Sequence, residues 1–175
     1  KESSAAPDVY KRQINNNILK KPLVSFNVKN TVIKNCNLYS DKNGVKHIRI
    51  QARPNKWHEN DCPFCHKSCP VYDKHSSKST IWRGLDWGGI LVEVKYQTHR
   101  IICPEHGVSV AEVPWAYPSS RFTKYFDLTV AWFASYLPRS TTSYFMRVDW
   151  ETVGRCVNRA LHDLEPERSR RLDGL

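Results

Sequence analysis

Two short motifs, alike in design and far apart in the chain, constrain this sequence more than any other feature. The first is Cys62-Pro63-Phe64-Cys65, and the second, thirty-seven residues later, is Cys103-Pro104-Glu105-His106. Two donors separated by two residues on a tight turn can face one tetrahedral ion, and a second such turn completes the shell. A proline after each first donor presets φ for the turn, and Gly107 lets the chain return into a strand. The spacing predicts one metal ion held by Cys62, Cys65, Cys103 and His106.

Zinc is the ion that this donor set favours. Thiolates and imidazole suit it, and three cysteines with one histidine leave no open position for a catalytic water. The alternative is a set of buried or disulfide-paired cysteines, which is weaker because we expect no leader peptide and a reducing interior. His66 and Cys69 are further donors beside the first motif. We expect His66 to point away from the ion and Cys69 to be a buried thiol.

Residues 27–56 predict a β-hairpin module. Apolar and polar residues alternate through this stretch, and β-branched residues are frequent. The alternation breaks at Asn43-Gly44, which is the strongest short hairpin signal because both residues tolerate positive φ. We therefore expect two or three antiparallel strands ahead of the first cysteine motif.

Residues 57–118 predict a zinc ribbon. A strand over 92–96 is expected to turn and return over 100–102, and this hairpin delivers Cys103 to the metal. Structural zinc contributes on the order of 10 kcal/mol, which is comparable to the whole stability of a small domain. We therefore expect this module to need its metal to fold.

Residues 119–165 predict three helices arranged as a helix-turn-helix. Apolar residues recur at helical spacing from Thr123 to Leu137, and Thr123 is a suitable N-cap. Pro138 is expected to end this helix. We expect the buried stripe of the helix to be widened by Tyr125, Leu128 and Trp132.

The second and third predicted helices carry a DNA-binding hypothesis. A short helix over 141–146 is followed by a tight turn, and Asp149 can cap a longer helix that begins at Trp150. Recognition helices are presented to the major groove in this way, although ordinary helical bundles show the same pattern. Arg can bridge two guanine acceptors and Asn an adenine edge, whereas phosphate contacts position the protein. The predicted base contacts are Thr152, Arg155, Asn158 and Arg159, and the predicted phosphate contacts are Arg147, Arg121 and Lys124.

The ends of the chain have a different character. We expect residues 1–26 to be a poorly ordered or artefactual leader, since the run 8–13 reads like a translated adapter from sequencing-library preparation. Residues 166–175 are expected to be a linker. The predicted fold class is therefore α+β, with an N-terminal β-hairpin module, a zinc ribbon and a C-terminal helix-turn-helix of three helices.

Charge indicates the class of partner. The 175 residues include 27 Lys and Arg against 17 Asp and Glu, a formal net charge of +10. Residues 1–56 alone carry 12 basic and 3 acidic side chains. This excess favours a polyanionic partner without specifying one. No run approaches the roughly 18–20 apolar residues of a membrane span, so a membrane protein is not expected.

An ordered series of motifs resembles a known family. The series comprises Cys62–Cys65, Leu85-Asp86-Trp87, Arg100–Val108, Val113–Ala116 and Arg121-Phe122-Thr123. In this order and spacing, from about residue 28 to residue 164, the chain resembles the N-terminal half of bacterial insertion-sequence transposases of the ISL-three family. In that family a zinc-binding ribbon and a helix-turn-helix recognise the terminal inverted repeats of the element, and a catalytic domain with an Asp-Asp-Glu triad follows.

The resemblance implies what this chain does and does not do. It implies structural zinc, double-stranded DNA of transposon ends as the partner, homo-oligomer formation, and a cytoplasmic, nucleoid-associated location. Because the catalytic domain is expected to begin near Leu175, we expect no catalytic residues in this chain. The chain should bind transposon ends, and cutting and joining would belong to a full-length transposase.

Two other functions remain open at this point. The chain could be a zinc-stabilised protein-interaction or transcription-regulator module, in which Trp82, Trp87 and Trp115 would form an exposed face. We expect these residues to be packed instead. A cysteine-dependent enzyme using Cys69 and a histidine is the third possibility, and no motif supports it.

Overall fold

The computed structural model describes residues 28–73 and 79–172. The predicted leader over 1–26 lies outside the described residues, as do a short internal stretch, 74–78, and the last part of the predicted linker, 173–175. Within the described ranges the chain has an α+β fold. Its strands are β1 (Thr31–Ser40), β2 (Lys46–Pro54), β3 (Val71–Asp73), β4 (Thr80–Arg83), β5 (Leu91–Tyr96), β6 (Arg100–Cys103) and β7 (Gly107–Val110). Its helices are α1 (Lys124–Tyr136), α2 (Arg139–Met146) and α3 (Trp150–Leu172).

Strands β1 and β2 form the antiparallel hairpin that their alternating sequence predicts. The carboxylate of Asp41 accepts hydrogen bonds from the amides of Asn43 and Val45 at 2.9 and 2.8 Å. Gly44 has a φ of +77°, in the left-handed region where glycine pays no steric penalty. The Asn-Gly signal therefore marks the turn correctly.

The hairpin is part of a larger, four-stranded sheet in the order β1-β2-β5-β4. Strand β2 pairs in parallel with β5, with His47 opposite Leu91 and Gln51 opposite Lys95. Strand β5 pairs antiparallel with β4 on its other edge. This sheet crosses the predicted boundary between residues 56 and 57, so the hairpin module and part of the predicted ribbon share one sheet.

The predicted hairpin between residues 92–96 and 100–102 is wrong. Both stretches are strands, but β5 lies in the four-stranded sheet, whereas β6 lies in a separate three-stranded sheet in the order β3-β6-β7. The physical reason is that both edges of β5 are already hydrogen-bonded to β2 and β4. Strand β6 is likewise paired on both edges, by β3 and β7.

The core of the four-stranded sheet lies on the face that carries Ile48, Ile50 and Val94. Trp82 and Trp115 pack against it edge to face, with ring centroids 5.7 Å apart. These two tryptophans are core residues as expected, whereas Trp87 is exposed. An exposed face made of all three tryptophans is therefore excluded.

The three helices follow the predicted order. Helix α1 is capped by Thr123, whose hydroxyl accepts a hydrogen bond from the amide of Phe126, and it ends before Pro138 as predicted. Helix α2 begins two residues earlier than predicted. Helix α3 begins at Trp150 as predicted and continues to Leu172, through most of the predicted linker.

The predicted buried stripe of α1 is narrower than expected. Phe126 and Val130 are buried and join the helical core, but Tyr125 and Trp132 are exposed and Leu128 is only half-buried. Their apolar character suggested burial, but on the helix Tyr125 and Trp132 lie opposite the side that packs on α3. None of the described helices combines the length and the apolar character needed to cross a bilayer.

Candidate metal centre and nucleic-acid interface

The two cysteine motifs fold into matching turns. In the first, the amide of His66 donates to the carbonyl of Cys62 at 2.9 Å, and His66 has a φ of +56°. In the second, Gly107 stands at the equivalent place with a φ of +71°. His66 adopts the conformation that glycine adopts in the other turn, and its exposed ring pairs with Glu112 at 2.6 Å. The ring therefore points away from the metal donors, as expected.

The structure brings together the four predicted metal ligands. The donor atoms of Cys62, Cys65, Cys103 and His106 all lie within 4.8 Å of one another. The Sγ atoms of Cys65 and Cys103 are 3.7 Å apart, and Nδ1 of His106 lies 3.7 Å from Sγ of Cys62 and 3.5 Å from Sγ of Cys103. This arrangement can hold a metal ion.

These separations have the size that tetrahedral coordination requires. Zn–S bonds of about 2.3 Å and Zn–N bonds of about 2.0 Å imply S···S edges of about 3.8 Å and S···N edges of about 3.5 Å. A disulfide would instead need an S–S length of about 2.0 Å, and all six cysteines are free. The donor set thus fits a metal and excludes the disulfide alternative within this structure.

The ionisation of the neighbouring thiols distinguishes Cys103 from Cys69. Burial opposes ionisation of Cys103, but hydrogen bonds from His106 and from backbone amides outweigh it and lower the pKa of the thiol to about 6. Burial raises the pKa of Cys69 to about 11. Its Sγ donates to the carbonyl of Lys67 at 3.3 Å. Cys69 is therefore a buried, protonated thiol outside the four-donor group, as its sequence context predicted.

The two donor turns lie at the centre of a small sheet. Cys62, Cys103 and Ile101 form its buried centre, and the ring of Phe64 lies against that of His106 with centroids 5.2 Å apart. Lys67, next to the first turn, pairs with Glu105 in the second. The two turns therefore meet through side chains as well as through their shared donor group.

A second candidate region is built by α2, a tight turn and α3. Arg147 closes the turn in the left-handed conformation, with a φ of +53°. The carboxylate of Asp149 then accepts hydrogen bonds from the amide and the hydroxyl of Thr152, at 3.3 and 3.1 Å. This is the cap that the sequence predicted for α3. The cap fixes the direction in which α3 leaves the turn.

Only two of the four predicted base-contacting residues are presented to solvent. Arg155 and Asn158 are exposed on α3. Thr152 is buried and satisfied by Asp149, so it is a capping partner rather than an exposed contact. The positions i and i+3 place Arg155 and Asn158 on neighbouring parts of one helix surface.

Arg159 also has a different role from the predicted one. Its guanidinium donates two hydrogen bonds of 2.9 Å to the carboxylate of Asp127, which is fully buried. Ser120 adds a third hydrogen bond to the same carboxylate. This bidentate ion pair joins α3 to α1 within the interior of the helical unit. The sequence contained a signal for it, because an Asp beside the apolar stripe of α1 must find a partner when it is buried.

The predicted phosphate-contacting residues lie in three different settings. Arg121 is exposed. Lys124, at the start of α1, holds its ammonium group 5.5 Å from the centre of the Tyr117 ring. Arg147 pairs with Asp86, so part of its charge is neutralised within the molecule.

Arg83 and Asp86, to which the sequence assigned no role, connect the sheet to the helices. Arg83 donates to the carbonyls of Met146 and Arg147 at 3.1 and 2.8 Å. Its guanidinium also lies 5.1 Å from the ring of Phe126. Together with the Asp86–Arg147 pair, these contacts dock the β4–β5 connection against the turn before α3.

The chain was compared with protein-family models, curated proteins and solved structures, and it matches curated proteins alone. No protein-family model and no solved structure matches the chain. Over 138 residues, 78% of the chain, it is 34% identical to the transposase for insertion sequence element IS1557 from two strains of Mycobacterium tuberculosis, CDC 1551 / Oshkosh and ATCC 25618 / H37Rv. The matched residues cover 31% of each relative, so the chain spans about a third of their length. Over most of its length, this chain is similar to insertion-sequence transposases.

Proposed function

We propose that this chain is a DNA-binding portion of an insertion-sequence transposase of the ISL-three type, and that its ligand is the double-stranded DNA of the terminal inverted repeats. The observation that carries the proposal is the 34% identity to transposases over 138 residues. Because the match covers 78% of the chain, it extends over more than one of the proposed modules. Transposition requires the element ends to be recognised, and the exposed part of α3 is suited to that task.

Zinc would be held by Cys62, Cys65, Cys103 and His106 as a zinc ribbon. When bound, it supplies four coordinate bonds in a closed shell, which stabilises a fold without taking part in chemistry. The support is the donor chemistry together with separations of 3.5–3.7 Å between donor atoms. The small sheet would then be a rigid platform beside the four-stranded sheet.

Base recognition would be carried by Arg155 and Asn158 from a helix-turn-helix. Arg can donate two hydrogen bonds to guanine, and Asn can pair with the adenine edge in the major groove. Arg121, Lys124 and Arg147 would contact phosphates, which position the protein without reading sequence. The net charge of +10 supports this electrostatic contribution.

Catalysis is assigned to no residue of this chain. We propose that cutting and joining are carried out by an Asp-Asp-Glu domain of a longer transposase, acting in the cytoplasm at the nucleoid. The share of the relatives that this chain spans, 31%, leaves room for such a domain in proteins of their length. The role of this chain would be to bring that chemistry to the element ends.

The test is a selection of binding sites by the zinc-loaded chain from a pool of random DNA duplexes. We expect one sequence to be enriched and its affinity to fall steeply with salt, with a log–log slope of about −0.9 for each phosphate neutralised. A protein-interaction module would show no enrichment and a slope near zero. Either of those results would overturn the proposal.

Two substitutions separate sequence reading from general charge. Arg155→Ala is expected to reduce discrimination between the selected site and its variants by about 1–3 kcal/mol for a lost bidentate contact. Arg100→Ala removes the same charge from an exposed site on β6, where Arg100 pairs with Asp73, and is expected to leave discrimination unchanged. Equal weakening of all sequences by Arg155→Ala would contradict the assignment of the recognition surface.

A further inference from the structure

Helix α3 contains a glycine, Gly154, in its second turn. Glycine destabilises the interior of a helix relative to alanine, because it loses more conformational freedom on folding. The backbone of Gly154 is helical and has no positive φ that would favour glycine. The missing side chain therefore has another physical reason, and that reason is a contact made by α2.

The contact comes from Arg139, the first residue of α2. A Cβ atom on Gly154 would overlap Nη2 of Arg139 and would lie 3.1 Å from its Cζ atom. The guanidinium group also lies 4.9 Å from the centre of the ring of Trp150, four residues before Gly154. Arg139 therefore lies against α3, where the Trp150 ring and the bare backbone of Gly154 fix its guanidinium group.

This contact places Arg139 beside the exposed surface of α3. Residues at intervals of four form one ridge on an α-helix, and each step turns about 40° around the axis. Trp150, Gly154 and Asn158 occupy one such ridge, so Arg139 lies at the margin of the surface that exposes Asn158 and Arg155. When the centre of a recognition helix contacts base edges, its margins and the preceding helix face the DNA backbone.

The charge of Arg139 is available to a ligand. Its side chain is exposed, and no described residue forms an ion pair with its guanidinium group or accepts a hydrogen bond from it. Arg147, in contrast, pairs with Asp86. An arginine stacked on an aromatic ring keeps the donors in its own plane free, and these donors match two phosphate oxygens. Because the group is already held in place, less conformational freedom is lost on binding.

We propose that Arg139 binds a phosphate of the DNA backbone, and that Trp150 and Gly154 position its guanidinium group for this contact. The inference depends on the proposed function, since it requires α3 to lie in the major groove. It assigns Arg139 to the contacts that position the protein on DNA rather than to those that read bases. It also explains a glycine that helix propensity opposes.

The experiment measures the affinity of the zinc-loaded chain for its selected duplex and for a duplex of unrelated sequence as the salt concentration is raised. Arg139→Ala is expected to weaken binding to both duplexes equally, on the order of tenfold at low salt, as for one lost charge-assisted contact. The log–log slope should become shallower by about 0.9, because one phosphate fewer is neutralised.

The matched control is Arg100→Ala. Arg100 is also stacked on an aromatic ring, with its guanidinium group 5.2 Å from the centre of the Tyr72 ring, but it pairs with Asp73 and lies on β6. The substitution removes the same charge from the chain. We expect both affinities and the salt dependence to equal those of the unmodified chain.

Gly154→Ala tests how Arg139 is positioned. The added methyl group displaces the end of the Arg139 side chain, while alanine favours the helix more than glycine does. We therefore expect a melting temperature that is unchanged or higher, together with a loss of affinity similar to that of Arg139→Ala. In a chain that already carries Arg139→Ala, the second substitution should have no further effect. Additive losses would show that the methyl group acts on α3 itself, and would overturn the positioning role.

The outcomes separate this inference from the proposed function. A chain that selects no DNA sequence would overturn both. A chain that selects DNA, but binds with unchanged affinity and slope after Arg139→Ala, would overturn this inference alone. A loss confined to the selected duplex would also overturn it, because a base contact would then have been removed rather than a phosphate contact.

Discussion

The three-stranded sheet that carries the donor group and the helical unit differ in the residues that fill their centres. The buried centre of the three-stranded sheet contains three cysteines, one alanine and one large aliphatic residue, Ile101. The helical core contains Phe126, Val130, Met146 and Val153, which are larger and interlock between all three helices. The sheet therefore buries little apolar surface of its own, and we expect it to need a metal at its donor group, whereas the helices are held by apolar packing.

The helical unit adds an internal ion pair to that packing. Asp127 is fully buried and receives both the fork of Arg159 and the hydroxyl of Ser120. Pairs of this kind add little net stability when intact but cost much when one partner is removed. We therefore expect each region to lose most stability when one group is removed: the donor group in the sheet and Asp127 in the helices.

Metal removal is expected to have the largest effect and to affect the two regions unequally. Structural zinc contributes on the order of 10 kcal/mol, more than the apolar centre of the small sheet can replace. With a chelator present, the amides of β6 and β7 should exchange rapidly with deuterium, while those of α1 and the first turns of α3 stay protected. Hydrogen exchange followed by mass spectrometry measures this difference.

Restoring zinc to the chelated protein is the control and should return protection to β6 and β7. Equal loss of protection in α1 would show that the helices also depend on the metal. Unchanged protection in β6 and β7 would also contradict the comparison, because it would show that the sheet is stable without a metal at its donor group.

Asp127→Asn is expected to have the next largest effect, confined to the helices. The substitution keeps the shape of the side chain but leaves the guanidinium of Arg159 facing a neutral group. We expect a loss of about 3 kcal/mol in the free energy of unfolding of the helical unit, measured by denaturant titration. Glu151→Gln, the same chemical change on the exposed surface of α3, should cost less than about 0.5 kcal/mol.

A neutral replacement of the whole pair sharpens this prediction. Asp127→Leu combined with Arg159→Met should recover most of the lost stability, because a paired charge is exchanged for apolar contact. If Asp127→Asn lowers the free energy of unfolding no more than Glu151→Gln does, the helices do not depend on this ion pair for their stability.

Thr123→Ala is expected to have a smaller effect. It removes the hydroxyl that accepts the amide of Phe126 at 3.3 Å, leaving one donor at the start of α1 without its cap. The expected cost is about 1 kcal/mol in the same denaturant titration. Thr123→Ser keeps the hydroxyl and should retain most of the stability, so an equal loss in both variants would show that packing, not capping, is affected.

Local features of the fold were predictable from the sequence. The turn at Asn43-Gly44 and the caps of α1 and α3 depend on contacts between residues a few positions apart, so the residues that form them can be recognised directly. The grouping of Cys62, Cys65, Cys103 and His106 was also predictable, because each pair is set by the geometry of one tight turn. The matching donor chemistry of the two turns indicated that they meet, whereas the contacts of Phe64 with His106 and of Lys67 with Glu105 could not be read from the sequence.

Long-range features were not predictable in the same way. The parallel pairing of β2 with β5 joins residues more than forty positions apart, and no local pattern distinguishes it from the expected β5–β6 hairpin. Tyr125 and Trp132 were expected to be buried because apolar type alone does not show which side of a helix faces its neighbours. Arg159 was expected to be exposed because charged side chains usually face solvent. The sequence does not show that its partner, Asp127, lies beside it on another helix.

The central claim is that one zinc ion joins the two cysteine turns, and X-ray absorption spectroscopy with elemental analysis tests it most directly. We predict one zinc per chain, three sulfur ligands at about 2.3 Å and one nitrogen ligand at about 2.0 Å. Cys62→Ser should lose this stoichiometry, whereas Cys69→Ser, the same change outside the donor group, should retain it. A folded, reduced chain without zinc, or a Cys62→Ser variant that keeps one equivalent with an unchanged shell, would contradict the account.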